Sequence, residues 1–154
     1  EQRKGLNNCI IINDSYNSDL ESLRIALEFL AQQQQTDQRT VILSDILQSG
    51  ITGVDLYGAV AKMLKEANVT KFIGLGKEIF HHKYLFEKLE DLSQTTFYAS
   101  TEEFLQKEND SNFNSEAVFL RAIGKYELDD FIGGLCCAAI GRVCLFCSLK
   151  LSFC

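Results

Sequence analysis

The sequence predicts an α/β fold: a Rossmann-like three-layer domain with a mostly parallel sheet of five or six strands. Two observations carry this prediction. Short apolar runs alternate with segments whose apolar residues recur at helical spacing, and the strands end on polar residues. Strands joined by helices of about ten to fifteen residues require parallel pairing with right-handed crossovers. A chain of 154 residues, 46% hydrophobic and 23% charged, is long enough to bury the core of one such domain.

Five apolar runs have the length and composition of strands. They cover residues 9–13, 40–43, 71–75, 95–99 and 117–120. Helices are predicted at about 19–32, 54–67, 84–92 and 101–107, because apolar residues there fall on one helical face. Two helix starts carry a capping-box pattern, with Ser18 and Ser100 as N-caps and Glu21 and Glu103 at the third helical position.

Charge argues against one class of protein, and the first residues predict a location. The net charge is -6 and the pI is about 4.9, and the Lys and Arg residues are scattered, which argues against a nucleic-acid-binding protein. The first residues show no basic segment followed by an apolar one, so a cytoplasmic location is expected.

The stretch from residue 131 to 154 differs from the rest of the chain because it is apolar and rich in cysteine. A disulfide framework is not favoured, since all cysteines but Cys9 crowd into this stretch. Cys144 and Cys147 form a C-x-x-C without a second pair, which makes a metal site unfavoured. Arg142 and Lys150 interrupt the stretch and argue against a membrane span. We therefore divide the chain into a domain at 1–130 and a tail of unknown role at 131–154.

Polar side chains that could bind a ligand follow the first two long strands. The first loop carries an amide, a carboxylate, a hydroxyl, a phenol and a second amide, from Asn13, Asp14, Ser15, Tyr16 and Asn17. In an open α/β sheet, ligands lie beyond the carboxyl ends of the strands. These groups can bind a ribose hydroxyl, a water or a peptide carboxylate, but they equally suit turn and cap hydrogen bonds.

Ser44 and Asp45 close the next strand at the same predicted edge, so the two loops together form a cleft. Taken alone, Asp45 is better explained as a cap or turn residue than as a ligand contact.

Three further features are weaker candidates. Gly74 and Gly76 hint at a phosphate loop but lack the third glycine of a dinucleotide fingerprint. The adjacent His81 and His82 would diverge on a helix, so an exposed pair is expected rather than a metal site. Arg121 follows the last strand and could contact a substrate anion or form a surface ion pair.

Two segments carry a specific resemblance. Residues 11–18 read I-I-N-D-S-Y-N-S, and residues 41–50 read V-I-L-S-D-I-L-Q-S-G. They resemble the I-x-D-D-S-Y-N-A-N-P and V-L-G-D-M-x-E-L-G segments in the C-terminal domain of Mur ligases of the MurF type, the UDP-N-acetylmuramoyl-tripeptide:D-alanyl-D-alanine ligases. The resemblance covers about residues 5–130. Two departures stand out: the family's proline after the second asparagine of its motif is absent, with Ser18-Asp19-Leu20 in that place, and residues 121–125 replace a K-G-[SA]-R segment.

The resemblance implies an ATP-dependent enzyme that phosphorylates a carboxylate and joins the acyl phosphate to an amine. ATP and Mg would be its cofactors, with Mg held mainly by a central domain. The partners would be the N-terminal and central ligase domains, UDP-MurNAc-tripeptide and D-alanyl-D-alanine. This domain would position substrates, so the fragment alone is expected to be inactive. By motif match, the nucleotide contacts would be Asp14, Tyr16 and Asn17, and the substrate contacts Asn13, Ser15, Ser44 and Asp45.

The spellings N-D-S-Y-N-S-D and L-S-D-I-L-Q-S-G further resemble the form of this ligase that is fused to alanine racemase. Pyridoxal phosphate would belong to that fused racemase and not to this chain, which has no room for its barrel. The alternative from a different class is a stand-alone, flavodoxin-like module that binds a small ligand or a partner.

Overall fold

A computed structural model describes residues 2–15, 19–47, 50–51, 53–109, 112–122, 126, 128, 131–132 and 135. These residues form one sheet with helices on both faces. The strands are β1 (Gln2–Lys4), β2 (Ile10–Asn13), β3 (Arg39–Ser44), β4 (Lys71–Leu75), β5 (Gln94–Tyr98) and β6 (Ala117–Arg121). The helices are α1 (Leu20–Ala31), α2 (Gly53–Glu66), α3 (Lys77–His81) and α4 (Thr101–Lys107), with a 3-10 turn at Lys83–Leu85.

The strand order is β1-β2-β6-β3-β4-β5. Strands β2 to β6 pair in parallel, and β1 pairs antiparallel with β2 at the edge. This confirms the predicted Rossmann-like α/β class with a mostly parallel sheet. The five predicted strands are all present, whereas β1 was not predicted because its sequence, Q-R-K, has no apolar alternation.

The direction of each crossover decides which face its helix covers. The chain moves one way across the sheet from β2 to β5 and returns in the opposite direction from β5 to β6. Right-handed crossovers therefore place α1 and α2 on one face and α4 on the other. Alternation along β2 follows this division: Ile10 and Ile12 pack with α1 and α2, whereas Ile11 packs in the cluster that contains Phe104 of α4.

The cluster on the α4 face extends beyond residue 130. Phe131, Ile132 and Leu135 are buried in it, and the Phe131 ring lies 4.8 Å from the ring of Phe104. The beginning of the apolar stretch therefore contributes to the core of the domain. Residues 136–154 lie outside the described residues, and the division at 130 stays a prediction.

The predicted helix at 84–92 is wrong. The structure has α3 at Lys77–His81 and a 3-10 turn at Lys83–Leu85, followed by turns. The apolar residues of this segment pack instead into the core cluster on the α1 and α2 face, where the Phe86 ring stacks on that of Phe72 at 4.6 Å.

The cap of α1 also differs from the prediction. Asp19, not Ser18, is the N-cap, and its Oδ1 accepts a hydrogen bond from the backbone N–H of Ser22 at 2.8 Å. That bond is the main reason why the pKa of Asp19 is lowered. For α4, the predicted cap Ser100 is confirmed, since its hydroxyl accepts from Glu103 N at 3.2 Å.

Candidate functional site

The neighbouring strands β2 and β6 are followed by segments that lie on opposite faces of the sheet. After β2 the chain enters α1 on one face, whereas after β6 the described residues pack on the other. Strand β6 lies between β2 and β3, with Leu120 opposite Asn13 and Arg121 opposite Leu43. Such a switch point is where open α/β sheets bind ligands. The loops after β2 and β3 flank it on either side.

Within the first loop, Asn13 and Ser15 hydrogen-bond to each other. Asn13 Oδ1 accepts from the Ser15 backbone N–H at 3.2 Å and from its hydroxyl at 2.7 Å. This is an Asx turn, so the turn chemistry that the sequence left open is present for this pair. Tyr16 and Asn17, the other two candidates of the loop, lie outside the described residues.

Asp14 lies at the centre of the edge. Its backbone N–H donates to Leu120 O at 2.9 Å, which continues the ladder between β2 and β6. Its side chain is 23% exposed and forms an ion pair with Arg121. Of the two alternatives that the sequence left open for Arg121, an ion pair is present, but it is buried on the Arg121 side, whose side chain is only 1% exposed.

In the second loop, Asp45 is buried and joins three parts of the chain. Its Oδ1 accepts from the Ile79 backbone N–H at 2.9 Å, which caps α3. Its Oδ2 accepts from the hydroxyl of Tyr126 at 2.7 Å. Burial is the largest reason for the raised pKa of Tyr126, and the bond to Asp45 adds to it. Ser44, also buried, precedes it at the end of β3.

Gly74, inside β4, and Gly76, directly after it, have a packing explanation. A Cβ on Gly74 would lie 2.6 Å from Cδ1 of Phe97, and a Cβ on Gly76 would lie 2.5 Å from both carboxylate oxygens of Asp45. Gly76 also has a φ of +133°, which L-residues rarely adopt. These glycines therefore allow β4 and α3 to approach their neighbours closely.

The expectation of an exposed histidine pair is wrong for His82. Its side chain is buried and stacks on Tyr57, with ring centroids 5.2 Å apart. Its Nδ1 lies 2.9 Å from Glu78 O, and its Nε2 lies toward Gly53 at the start of α2. The ring therefore packs α3 against α2.

Two surface features adjoin this edge. A groove of about 530 Å³ runs between β2 and α1, with Gln2, Asp14 and Ser22 as polar residues in a lining that includes Phe29 and Phe119. The segment between β3 and α2 exposes large apolar side chains, most of all Leu47 at 63%.

The described residues contain neither a candidate metal site nor a candidate membrane span. No group of three or more His, Cys, Asp or Glu residues among them could hold a metal ion. No helix in the same part of the chain is long and apolar enough to cross a membrane.

Sequence reasoning missed the roles of Arg121 and Tyr126. Both act through contacts with residues far away along the chain, and no local pattern marks such contacts.

Comparison with known proteins shows a distant similarity to a curated enzyme. No family model matches the chain. Over 127 residues, 82% of its length, the chain is 25% identical to the UDP-N-acetylmuramoyl-tripeptide--D-alanyl-D-alanine ligase of Rickettsia prowazekii strain Madrid E. The aligned part covers 27% of that ligase, so the chain spans about a quarter of the length of this curated relative. The chain is thus distantly similar to one part of a Mur ligase.

Proposed function

We infer that this chain is the C-terminal domain of an ATP-dependent ligase that adds D-alanyl-D-alanine to UDP-MurNAc-tripeptide during peptidoglycan precursor synthesis. The observation that carries the proposal is the pair of polar loops at one edge of the sheet, on either side of β6. The residues of these loops are the ones that resemble Mur ligase motifs, and the similarity to the Rickettsia ligase extends over most of the chain.

In the proposed reaction, the tripeptide carboxylate takes the γ-phosphoryl group of ATP and releases ADP. The amine of D-alanyl-D-alanine then attacks the acyl phosphate, forms the amide and releases phosphate. The central domain would hold Mg and the phosphates. This domain would close over them in the cytoplasm and hold the nucleotide and the dipeptide in reacting positions, which is a large part of a ligase's rate acceleration.

Within this proposal the candidate residues divide into two groups. Asp14, with Tyr16 and Asn17, would contact the nucleotide, and the loop of Asn13 and Ser15 would support them. Asp45 has its oxygens engaged by Ile79 and Tyr126, so it would act on the dipeptide side by fixing the β3 loop with Ser44.

Exposed apolar residues next to the edge fit a domain that docks on another. Leu47, Ile51 and Val54 lie between the end of β3 and the first turn of α2, and all three are exposed. A cluster of large exposed apolar side chains on a single domain commonly marks an interaction surface. In the proposal this surface faces the central domain when the ligase closes.

The test joins this chain to the upstream domains encoded by its own gene and measures ADP release and amide product. Asp14→Asn keeps the size of the side chain and removes its charge, and we expect it to raise the KM for ATP by about tenfold. Asp91→Asn is the matched control, because Asp91 is an exposed carboxylate in the loop before β5. Absence of ligation by the wild-type protein would refute the proposal, as would an Asp14→Asn variant with the KM of the control.

The reading frame of the same gene tests the finer proposal that an alanine racemase is fused to this ligase. We include it on the spelling of the two loop segments alone, and a reading frame that ends without a racemase barrel would refute it.

The groove beside Asp14 favours a second candidate, a small-ligand-binding module, because its size and mixed lining suit a small organic molecule. Calorimetry of the 154-residue chain with nucleotides, flavins and D-alanyl-D-alanine separates the two. Tight binding of flavin with no response to the others would favour the module and refute the ligase.

A further inference from the structure

Arg121 is a buried cation at the centre of the candidate site. It is the last residue of β6, the strand between the two polar loops, and its side chain is 1% exposed. A buried charge is costly unless its partners are well placed. The partners of Arg121 therefore indicate what the residue does.

Those partners lie at both ends of the loop between β2 and α1. One guanidinium nitrogen, Nη2, forms the ion pair with Asp14. The other, Nη1, donates to the backbone oxygen of Asp19 at 3.1 Å and to the Ser22 hydroxyl at 3.0 Å. Asp14 begins the loop, whereas Asp19 caps α1. A single planar group thus joins the end of β2 to the first turn of α1.

The positions of these three partners require an arginine side chain, and another cationic side chain would not contact all of them. A guanidinium presents its donors in a rigid fork, so it can bind a carboxylate on one arm and a carbonyl and a hydroxyl on the other. A lysine ammonium is a single point of charge, which cannot span the same partners from the same backbone position. The contacts also fix the side chain of Asp14, which remains 23% exposed at the ligand edge.

We propose that Arg121 is a positioning residue that holds Asp14 and the start of α1 in the arrangement that receives the nucleotide. The proposal rests on the proposed function, since it assumes that Asp14 contacts ATP. Arg121 acts through Asp14 and the loop; it does not itself touch the substrate.

The test compares the buried Arg121 with the partly buried Arg39 in the ligase assembled from the full gene. Arg121→Lys should raise the KM for ATP at least tenfold, with a smaller change in the KM for D-alanyl-D-alanine. Arg39→Lys is the matched control, because Arg39 lies at the amino-terminal end of β3, away from the candidate site, where its Nη2 donates to Gln33 O at 3.1 Å. Its KM for ATP should equal that of the wild type. Equal KM values for ATP in the two variants would overturn the proposal.

A milder variant keeps the proposal testable if Arg121→Lys does not fold. Ser22→Ala removes one acceptor of Nη1 and leaves the ion pair in place, and we expect about a threefold rise in the KM for ATP. In the 154-residue chain, the same change should speed amide hydrogen exchange at Asp14 and Ser22. Unchanged KM and unchanged exchange in Ser22→Ala would overturn the proposal.

The outcomes also separate the two hypotheses. A wild-type protein that fails to ligate refutes the proposed function, and with it the role of Arg121 toward a nucleotide. A wild-type protein that ligates, together with Arg121 and Ser22 variants that bind ATP normally, refutes only the inference about Arg121.

Discussion

Replacing Gly76 by alanine should be among the most damaging small substitutions in this domain. Gly76 lies between β4 and α3, with φ at +133°. A Cβ there would lie 2.5 Å from each carboxylate oxygen of Asp45, closer than real Cβ contacts. The carboxylate cannot move away freely, because Ile79 N–H and the Tyr126 hydroxyl both bond to it.

Two costs add up to the expected effect. A non-glycine residue at this φ carries strain of about 1–3 kcal/mol. Displacing Asp45 weakens two hydrogen bonds to a buried charged group, each worth about 1.5–3 kcal/mol. With some relaxation of the loop, we expect Gly76→Ala to lower the free energy of unfolding by about 5 kcal/mol, which is a large share of the stability of a small domain.

Urea unfolding followed by circular dichroism measures this loss, and two other glycines separate its causes. Gly58→Ala should stabilise by about 0.5–1 kcal/mol, because Gly58 lies inside α2 and a Cβ there meets no atom within 4 Å. Gly50→Ala tests positive φ alone, at +70° with open space around it, and should cost about 1 kcal/mol.

In an Asp45→Ala background, Gly76→Ala should cost only its backbone strain, because the group that it displaces is gone. A Gly76→Ala variant within about 1 kcal/mol of wild type would refute the reasoning. So would a loss that is undiminished when Asp45 is absent.

Three further predictions concern single side chains. The pKa of Tyr126 is raised above its usual value of 10.0, so the folded protein keeps this proton to higher pH than the unfolded chain does. The free energy of unfolding should therefore fall as the pH rises past about 10. Tyr126→Phe should make that fall less steep in urea midpoints measured from pH 8 to 11. Ser100→Ala should cost about 1 kcal/mol and Ser100→Asp much less, since only the alanine lacks an oxygen for the Glu103 N–H; equal losses would contradict the cap. Leu47→Asp should change the unfolding free energy by less than about 0.5 kcal/mol while lowering ligation by the joined protein, and full activity would argue against docking at this surface.

Much of the fold follows from local sequence patterns. The five parallel strands and helices α1, α2 and α4 were all predicted, because apolar periodicity and capping residues act over a few neighbouring positions. The errors fall where the deciding contact is distant. Helix α3 has five residues and no side-chain cap of its own; Asp45, 34 residues before Ile79, supplies the acceptor.

In the candidate site, too, some features follow from local sequence patterns and others from contacts between distant residues. The sequence by itself predicted that Asn13 to Asn17 and Ser44 to Asp45 close two parallel strands, and hence that they meet at one edge of the sheet. Only the tertiary structure decided that β6 lies between them and that Arg121 pairs with Asp14 across 107 residues. The physical reason is that a buried charge is satisfied by whichever groups the packing brings near it. Hydrophobic periodicity predicts which face of a helix or strand is buried, but it does not predict which distant residue that face will contact.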